Sequence, residues 1–196
     1  MHSTQKLAIF VVQILRKTKE KNMAQWTLDT AHSEIEFKVK HMMISTVKGS
    51  FQDFAVTVEN DSETIENAQV TVLIKTESIN TKNEQRDQHL KSGDFFDAAT
   101  YPEIKFVSTG ITKVDDEEYK VTGDLTVIDV TKPVSFKAEF GGIGKDPWGN
   151  QKAGYTVTGK INRTDFGLSW NAALETGGVM VSDEVKFQAD LQFILA

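Results

Sequence analysis

His32, His41 and His89 are the side chains of this sequence best suited to move a proton or bind a metal near neutral pH. A fourth histidine, His2, stands close to the N-terminus. His41 ends the run Ile35, Phe37, Val39, His41, in which alternate residues are apolar until the histidine. His89 has Arg86, Asp87 and Asp94 near it in the chain. Brought to one end of a fold, His41 and His89 could touch a polar ligand group. The plainer alternative is a hydrogen-bonded interior histidine and a solvated helix face. Metal sites show denser clustering of ligands, so no metal is expected. In Arg163-Thr164-Asp165-Phe166-Gly167-Leu168, Arg163 and Asp165 could pair inside a turn, chiefly because a buried arginine needs a partner to be tolerated. The sequence has no cysteine, which excludes a thiol nucleophile, a thiolate metal site and a disulfide framework. G-x-S-x-G, H-E-x-x-H and P-loop motifs are missing. Gly141-Gly142-Ile143-Gly144 leads into a turn cluster, Asp146 to Asn150, rather than a helix, so it is no dinucleotide loop. No catalytic residue, metal or cofactor is assigned.

The 196 residues carry 22 Lys+Arg against 28 Asp+Glu, a net charge of -6. An acidic chain without a basic block is poorly matched to a polyanion, so nucleic acid is not an expected partner. The length suits one domain that buries most of what its unfolded chain exposes. Leu7 to Leu15 is the one long apolar run; a membrane span needs about 20 apolar residues, so no integral membrane anchor is expected. Arg16-Lys17-Thr18-Lys19-Glu20-Lys21 follows it, with no small-residue cleavage site of the exported kind. Residues 1–22 are therefore read as a leader or a mis-assigned start. Patterned sequence follows Met23, and the folded domain is expected over 23–196. Lys19-Glu20 can be encoded AAG-GAG, a ribosome-binding sequence at a bacterial spacing from Met23; the gene's codons decide that point.

The elements that must position these side chains are strands. In Glu34–His41, Ile35, Phe37, Val39 and His41 share one face while Glu34, Glu36, Lys38 and Lys40 share the other. The period recurs at Val134–Phe140 and Glu184–Phe193, and more weakly at Ala68–Lys75, Ile104–Ile111, Tyr119–Val127 and Ala153–Ile161. In Val47–Val58 the parity switches, which predicts a bulge or corner near Gln52-Asp53. With a short strand at Trp26–Leu28 the count is about nine. Thr131-Lys132-Pro133 reads as a tight connection. One apolar and one charged face per strand predicts an antiparallel sheet with water on one side. A closed barrel also removes exposed edges, and a two-sheet sandwich is the competing fold. Thr81-Lys82-Asn83-Glu84 reads as a capping box, predicting a helix from Lys82 to about Lys91 that stops near Gly93. It is a helical insertion, near 81–97, placed over a barrel mouth.

Taken in order, several motifs resemble the YceI-like lipid/polyisoprenoid-binding family. They are Trp26-Thr-Leu-Asp29-Thr-Ala-His32-Ser33, His41-Met42 followed by Val47-Lys-Gly49-Ser-Phe51, and Arg86-Asp87-Gln-His89-Leu90-Lys-Ser92-Gly-Asp94-Phe95-Phe96-Asp97. Tyr101-Pro102-Glu-Ile-Lys-Phe106, Gly123-Asp-Leu125, Val130-Thr-Lys-Pro133 and Arg163-Thr-Asp165-Phe166-Gly167 complete the set. The resemblance covers about Gln25 to Phe193. It implies an all-β, extended lipocalin-like antiparallel β-barrel of about eight strands, with an interior for a long isoprenoid or similar amphiphile. It also implies a homodimer. The chain lacks the exported pattern of many members, which favours the cytoplasm of a bacterial cell.

An eight-stranded barrel can be filled by side chains or can hold one slim ligand. A hydrocarbon gains about 0.8 kcal/mol per buried CH₂. The candidate apolar lining is Phe37, Val39, Val72, Phe106, Leu125, Phe136, Val157 and Phe187, each of which could equally be ordinary core. Phe95 and Phe96 are the candidate lid, and His41, Arg86 and His89 the candidate polar end. The expected partner is a lipid or isoprenoid small molecule, bound without chemistry. Two other functions fit the same barrel. One is an enzyme acting on such a lipid, with His41 as its inward acid or base. The other is a dimeric interaction module contacting through the Gly141–Asn150 loop and Trp148.

Overall fold

Strand alternation from Trp26 onward becomes a single antiparallel sheet. The computed structural model describes residues 26–60, 65–175 and 178–195. The reading of residues 1–22 lies outside these. The strands are β1 (Trp26–Leu28), β2 (Glu34–His41), β3 (Ser45–Phe51), β4 (Phe54–Glu59), β5 (Gln69–Lys75) and β6 (Ile79–Asn80). After helix α1 (Glu84–Lys91) come β7 (Glu103–Lys113), β8 (Glu118–Val127), β9 (Val130–Lys145), β10 (Gln151–Asn162) and β11 (Val181–Leu195). Their order is β4-β5-β7-β8-β9-β10-β11-β2-β3-β6, with β1 also paired to β11. The sheet curls into a lipocalin-like half-barrel, with its apolar residues inside and its charged residues in water.

Eleven strands replace the expected eight because two segments bend. The chain turns at Gln52-Asp53, where the parity switched, and divides one long segment into β3 and β4. Thr76–Ser78 divides the next into β5 and β6. The bends lie side by side: Gln52 N–H donates to the Ser78 carbonyl (3.1 Å) and Lys75 N–H to that of Asp53 (2.9 Å). This corner joins the two ends of the sheet, and counting each bent segment once, without β1, returns eight.

The register stacks the inward residues. Phe37 lies opposite Phe187 and Gly49, Val72 opposite Phe106, Phe106 opposite Leu125, and Phe136 opposite Val121. Eleven buried side chains form one cluster, and Leu90, Phe95 and Phe96, partly buried, pack against it.

Three local expectations are corrected. Thr131-Lys132-Pro133 is strand; the connection is the two-residue turn Ile128-Asp129, with Val127 opposite Val130 and Ile128 at φ 58°. Pro133 is tolerated because the β9–β10 ladder begins only at Lys137, so no neighbour on that side needs its missing N–H. Gly141–Gly144 continues β9 to Lys145, and the turn follows at Asp146–Asn150, with Trp148 at 84% exposure. The helix starts later than the capping box predicted. Lys82 has φ 61°, outside helical geometry, and the N-cap is Asn83, whose side chain accepts from Arg86 N–H (2.9 Å). The Thr81 hydroxyl bonds the Asp87 carboxylate instead. Asn83→Ala is expected to lower stability by about 1 kcal/mol, the usual cost of losing a cap. Urea unfolding checks this, and no change would reassign the cap.

Candidate ligand-binding site

The inward faces enclose a cavity of about 690 Å³, within the roughly 300–1,000 Å³ typical of small-molecule sites. Phe37, Val39, Val72, Phe106, Leu125, Phe136, Val157 and Phe187 all stand on its wall. Phe106, Leu125 and Phe136 are buried, but Phe37, Val39, Val72, Val157 and Phe187 are only half-buried although they point inward. Phe37, Val72, Val157 and Phe187 pack against the buried cluster on one side and line the hollow on the other. Alternate β11 residues from Val185 to Phe193, with Val181 before them, follow the wall. Val181 to Phe193 spans roughly 40 Å of strand, about 30 Å along the axis at a tilt of ~40°.

Glycine lets the large rings lie flat against that wall. A Cβ at Gly159 would stand 2.5 Å from Phe136 Cδ1 and 2.6 Å from Phe187 Cε1, far inside contact distance. These rings pack edge to face, with centroids 4.6 Å apart.

One end of the cavity is closed by α1 and the turns after it. Leu90, Phe95 and Phe96 are on the wall there. Phe96 meets Phe51 edge-on at 6.2 Å, and Phe95 packs on Trp170 at 5.3 Å. The lid is held from behind by Arg86, whose Nε donates to the Thr81 hydroxyl (2.7 Å) and whose Nη2 donates to the Thr81 carbonyl (2.8 Å).

His41, Arg86 and His89 do not line this cavity, which corrects their placement at its polar end. Arg86 folds back on Thr81, as above. His89 bonds Asp94 (2.9 Å) and stands edge-on to Phe95 and Trp170. His41 is the last residue of β2, beyond Val39. The polar wall residues are others, among them Asn60, Glu66, Lys113, Tyr119, Tyr155 and Arg163. Only Arg163 was singled out by sequence. Tyr119 and Tyr155 share the inward parity of β8 and β10, which was the signal available for them. Burial pushes the Tyr155 phenol up, and Tyr119 adds to the effect. Among the described residues no group of three or more His, Asp or Glu side chains could hold a metal ion.

Arg163 is 3% exposed, and its partner is not Asp165. Asp165 points toward Lys132, 4.0 Å away. Arg163 Nε donates to the Ser182 carbonyl (3.0 Å), Nη1 to those of Leu168 and Trp170 (2.9 Å for the latter), and Nη2 to that of Val181 (3.3 Å) and to Asp183 Oδ1 (3.1 Å). One side chain thus fastens the segment after β10 to the start of β11.

Asp29 forms a second cluster, which sequence reasoning missed. Its Oδ2 accepts from Lys152 Nζ (2.7 Å) and Gln192 Nε2 (2.9 Å), and His32 Nδ1 is 2.9 Å away. The hydrogen bond from Lys152 is the largest cause holding this carboxyl well below its ordinary range; burial opposes it, and His32 and Gln192 assist. A depressed native value stabilises the fold above the unfolded-state pKa of about 4. That stability wanes as pH falls below it toward Asp29's own value. Asp29→Asn should therefore be less stable than the parent at neutral pH, with the gap closing under acid. Urea midpoints across pH test this, and a gap that widens in acid would contradict it.

The curled antiparallel barrel, one short lid helix and deep apolar cavity define a lipocalin-like protein. The family model for the YceI-like domain matches residues 26–193, and the chain belongs to that family. A UPF0312 protein of Staphylococcus aureus (strain MSSA476) is 47% identical over 175 residues, covering 89% of this chain and 99% of the relative. The crystal structure of the Campylobacter jejuni YceI protein is 36% identical, with a TM-score of 0.69 over 89% of this chain and 99% of that one. A polyisoprenoid-binding domain from Saccharophagus degradans shares the fold at 15% identity and a TM-score of 0.69, over 89% of this chain and 100% of that one. No helix among the described residues is long and apolar enough to cross a membrane.

Proposed function

We propose that this protein binds, and carries or stores, a long-chain isoprenoid or related amphiphile in the barrel cavity, without chemical conversion. The half-buried inward side chains around a hollow of about 690 Å³ carry this reading. The polyisoprenoid-binding domain of the same fold supports the choice of cargo. Association costs about 4–15 kcal/mol in lost freedom. At about 0.8 kcal/mol per CH₂, a chain of five or six carbons barely reaches the lower bound, whereas about twenty exceed the upper one. The site is therefore expected to select for length. The enzymatic alternative relied on His41 inside the cavity, and His41 is not on its wall.

Organic extraction of the purified protein followed by mass spectrometry tests the reading, with titration of added prenyl lipids alongside. A bound amphiphile, or uptake that strengthens with chain length, is expected. A protein that yields no lipid and takes up none would overturn it.

A further inference from the structure

The two ends of the cavity differ chemically. At the α1 end Leu90, Phe95, Phe96 and the buried Ile79 are on the wall. Arg163, the cation on that side, spends its donors on backbone carbonyls and Asp183. At the opposite end β7 runs out at Lys113, where Asn60, Glu66, Lys113 and Tyr119 are on the wall. Glu66 and Lys113 are exposed while also lining the cavity, so this end opens to water. We propose that the cargo lies tail-inward beneath the lid, with its polar end at this β7–β8 mouth, and that the mouth selects an uncharged hydrogen-bonding head such as an alcohol, amide or quinone-type carbonyl over a phosphate or diphosphate.

The charge balance carries the second half. The turn between β7 and β8 is Asp115-Asp116-Glu117, followed by Glu118, and Glu66 is on the nearby wall. The two lysines that reach the turn are already matched. Lys113 Nζ donates to Asp116 (2.8 Å), and Lys137 Nζ is paired with Glu118 (2.6 Å) and Glu139 (2.8 Å). The hydrogen bond that Lys113 donates to Asp116, together with that carboxylate's charge, holds Lys113 in its charged form, with Tyr119 and Glu66 assisting and burial opposing. A diphosphate would meet an excess of carboxylates and would have to displace existing pairs. A neutral head needs only a donor or an acceptor, which the Tyr119 phenol and the remaining Lys113 N–H groups supply.

This inference rests on the binding reading, and ligands sharing one branched carbon skeleton separate the two. Affinities are measured for geranylgeraniol, geranylgeranyl diphosphate and the hydrocarbon phytane. The alcohol is expected to bind at least about tenfold more tightly than the diphosphate. Tyr119→Phe and Lys113→Met should weaken the alcohol by about two- to tenfold, the worth of one hydrogen bond, and leave phytane unmoved. Geranylgeraniol with a diazirine at its hydroxyl end should crosslink to peptides from 103–127. Equal or tighter binding of the diphosphate overturns the choice of head and leaves lipid binding standing. Crosslinks confined to 84–102 reverse the orientation. Failure of all three ligands to bind overturns the binding reading and this inference with it.

Discussion

Arg163→Met is expected to cost about 3–5 kcal/mol, the range for breaking a buried charged pairing. Most of the loss comes from the backbone. With the guanidinium gone, the carbonyls of Leu168, Trp170, Val181 and Ser182 lose a donor together. A buried acceptor left unpaired costs about 1–3 kcal/mol. The pairing with Asp183 adds less, because that carboxylate is 53% exposed and screened by solvent. Arg163→Lys should recover little: an ammonium donates from one point and cannot span carbonyls on two segments. Total stability of a domain is about 5–15 kcal/mol, so Arg163→Met should remove a large share of it. At about 2–4 °C per kcal/mol for a chain of this size, the thermal midpoint should fall by roughly 6–20 °C. Denaturant and thermal unfolding read both quantities. A loss under about 1 kcal/mol would mean that water can replace the guanidinium, contrary to its burial.

Arg163 also shows where the sequence stops being legible. Its need for a partner followed from the cost of burying a guanidinium, but the partner did not. Asp165 is two residues away and faces solvent near Lys132, whereas the true contacts are the Leu168 and Trp170 carbonyls and the start of a strand about twenty residues later. Asp29 and Lys152 are separated by 123 positions and leave no local pattern. Alternation, by contrast, is local. It locates β2 at its observed bounds, and it shows the Gln52-Asp53 corner as a change of parity. Turns without glycine or asparagine were hard to find. Ile128 adopts φ 58° with only Asp129 beside it to mark a turn, while Pro133 nearby marks one more strongly and sits in a strand. The Thr81 box failed because a hydroxyl that could cap a helix found the Asp87 carboxylate first.

Parity also assigned Phe37, Val39, Val72, Phe106, Leu125, Phe136, Val157 and Phe187 to the inside, since strand geometry alone decides that. What it could not give is whether they meet in the middle. A packed barrel and a hollow one show the same alternation, and the difference lies in a few ångströms of curvature set by every strand at once. The polar mouth was obscured for a related reason. Asn60, Glu66, Lys113 and Tyr119 lie on different elements, and only the curl of the sheet brings them to one rim.

Val157→Phe separates a hollow interior from a packed one, because the two give opposite signs. Val157 faces inward between two small cross-strand neighbours, Ala138 and Ala189, and is only half-buried. If the space before it is open, a phenyl ring enters without displacing anything. The four added carbons then gain up to about 3 kcal/mol at roughly 0.8 kcal/mol each, less the ordering of the ring. If the space were filled, overpacking would cost about 1–3 kcal/mol instead. The expected result is a variant at least as stable as the parent that has lost its cargo, with affinity for geranylgeraniol down by more than about tenfold, equivalent to some 1.4 kcal/mol. Val157→Ala is the complementary control. It widens an existing hollow rather than opening a new one, so its cost should fall below the roughly 2–5 kcal/mol of a packed large-to-small change, and binding should persist. Urea unfolding and lipid titration on the same preparations give both answers. A destabilised Val157→Phe protein that still binds normally would place the cargo elsewhere on the molecule and return these side chains to an ordinary core.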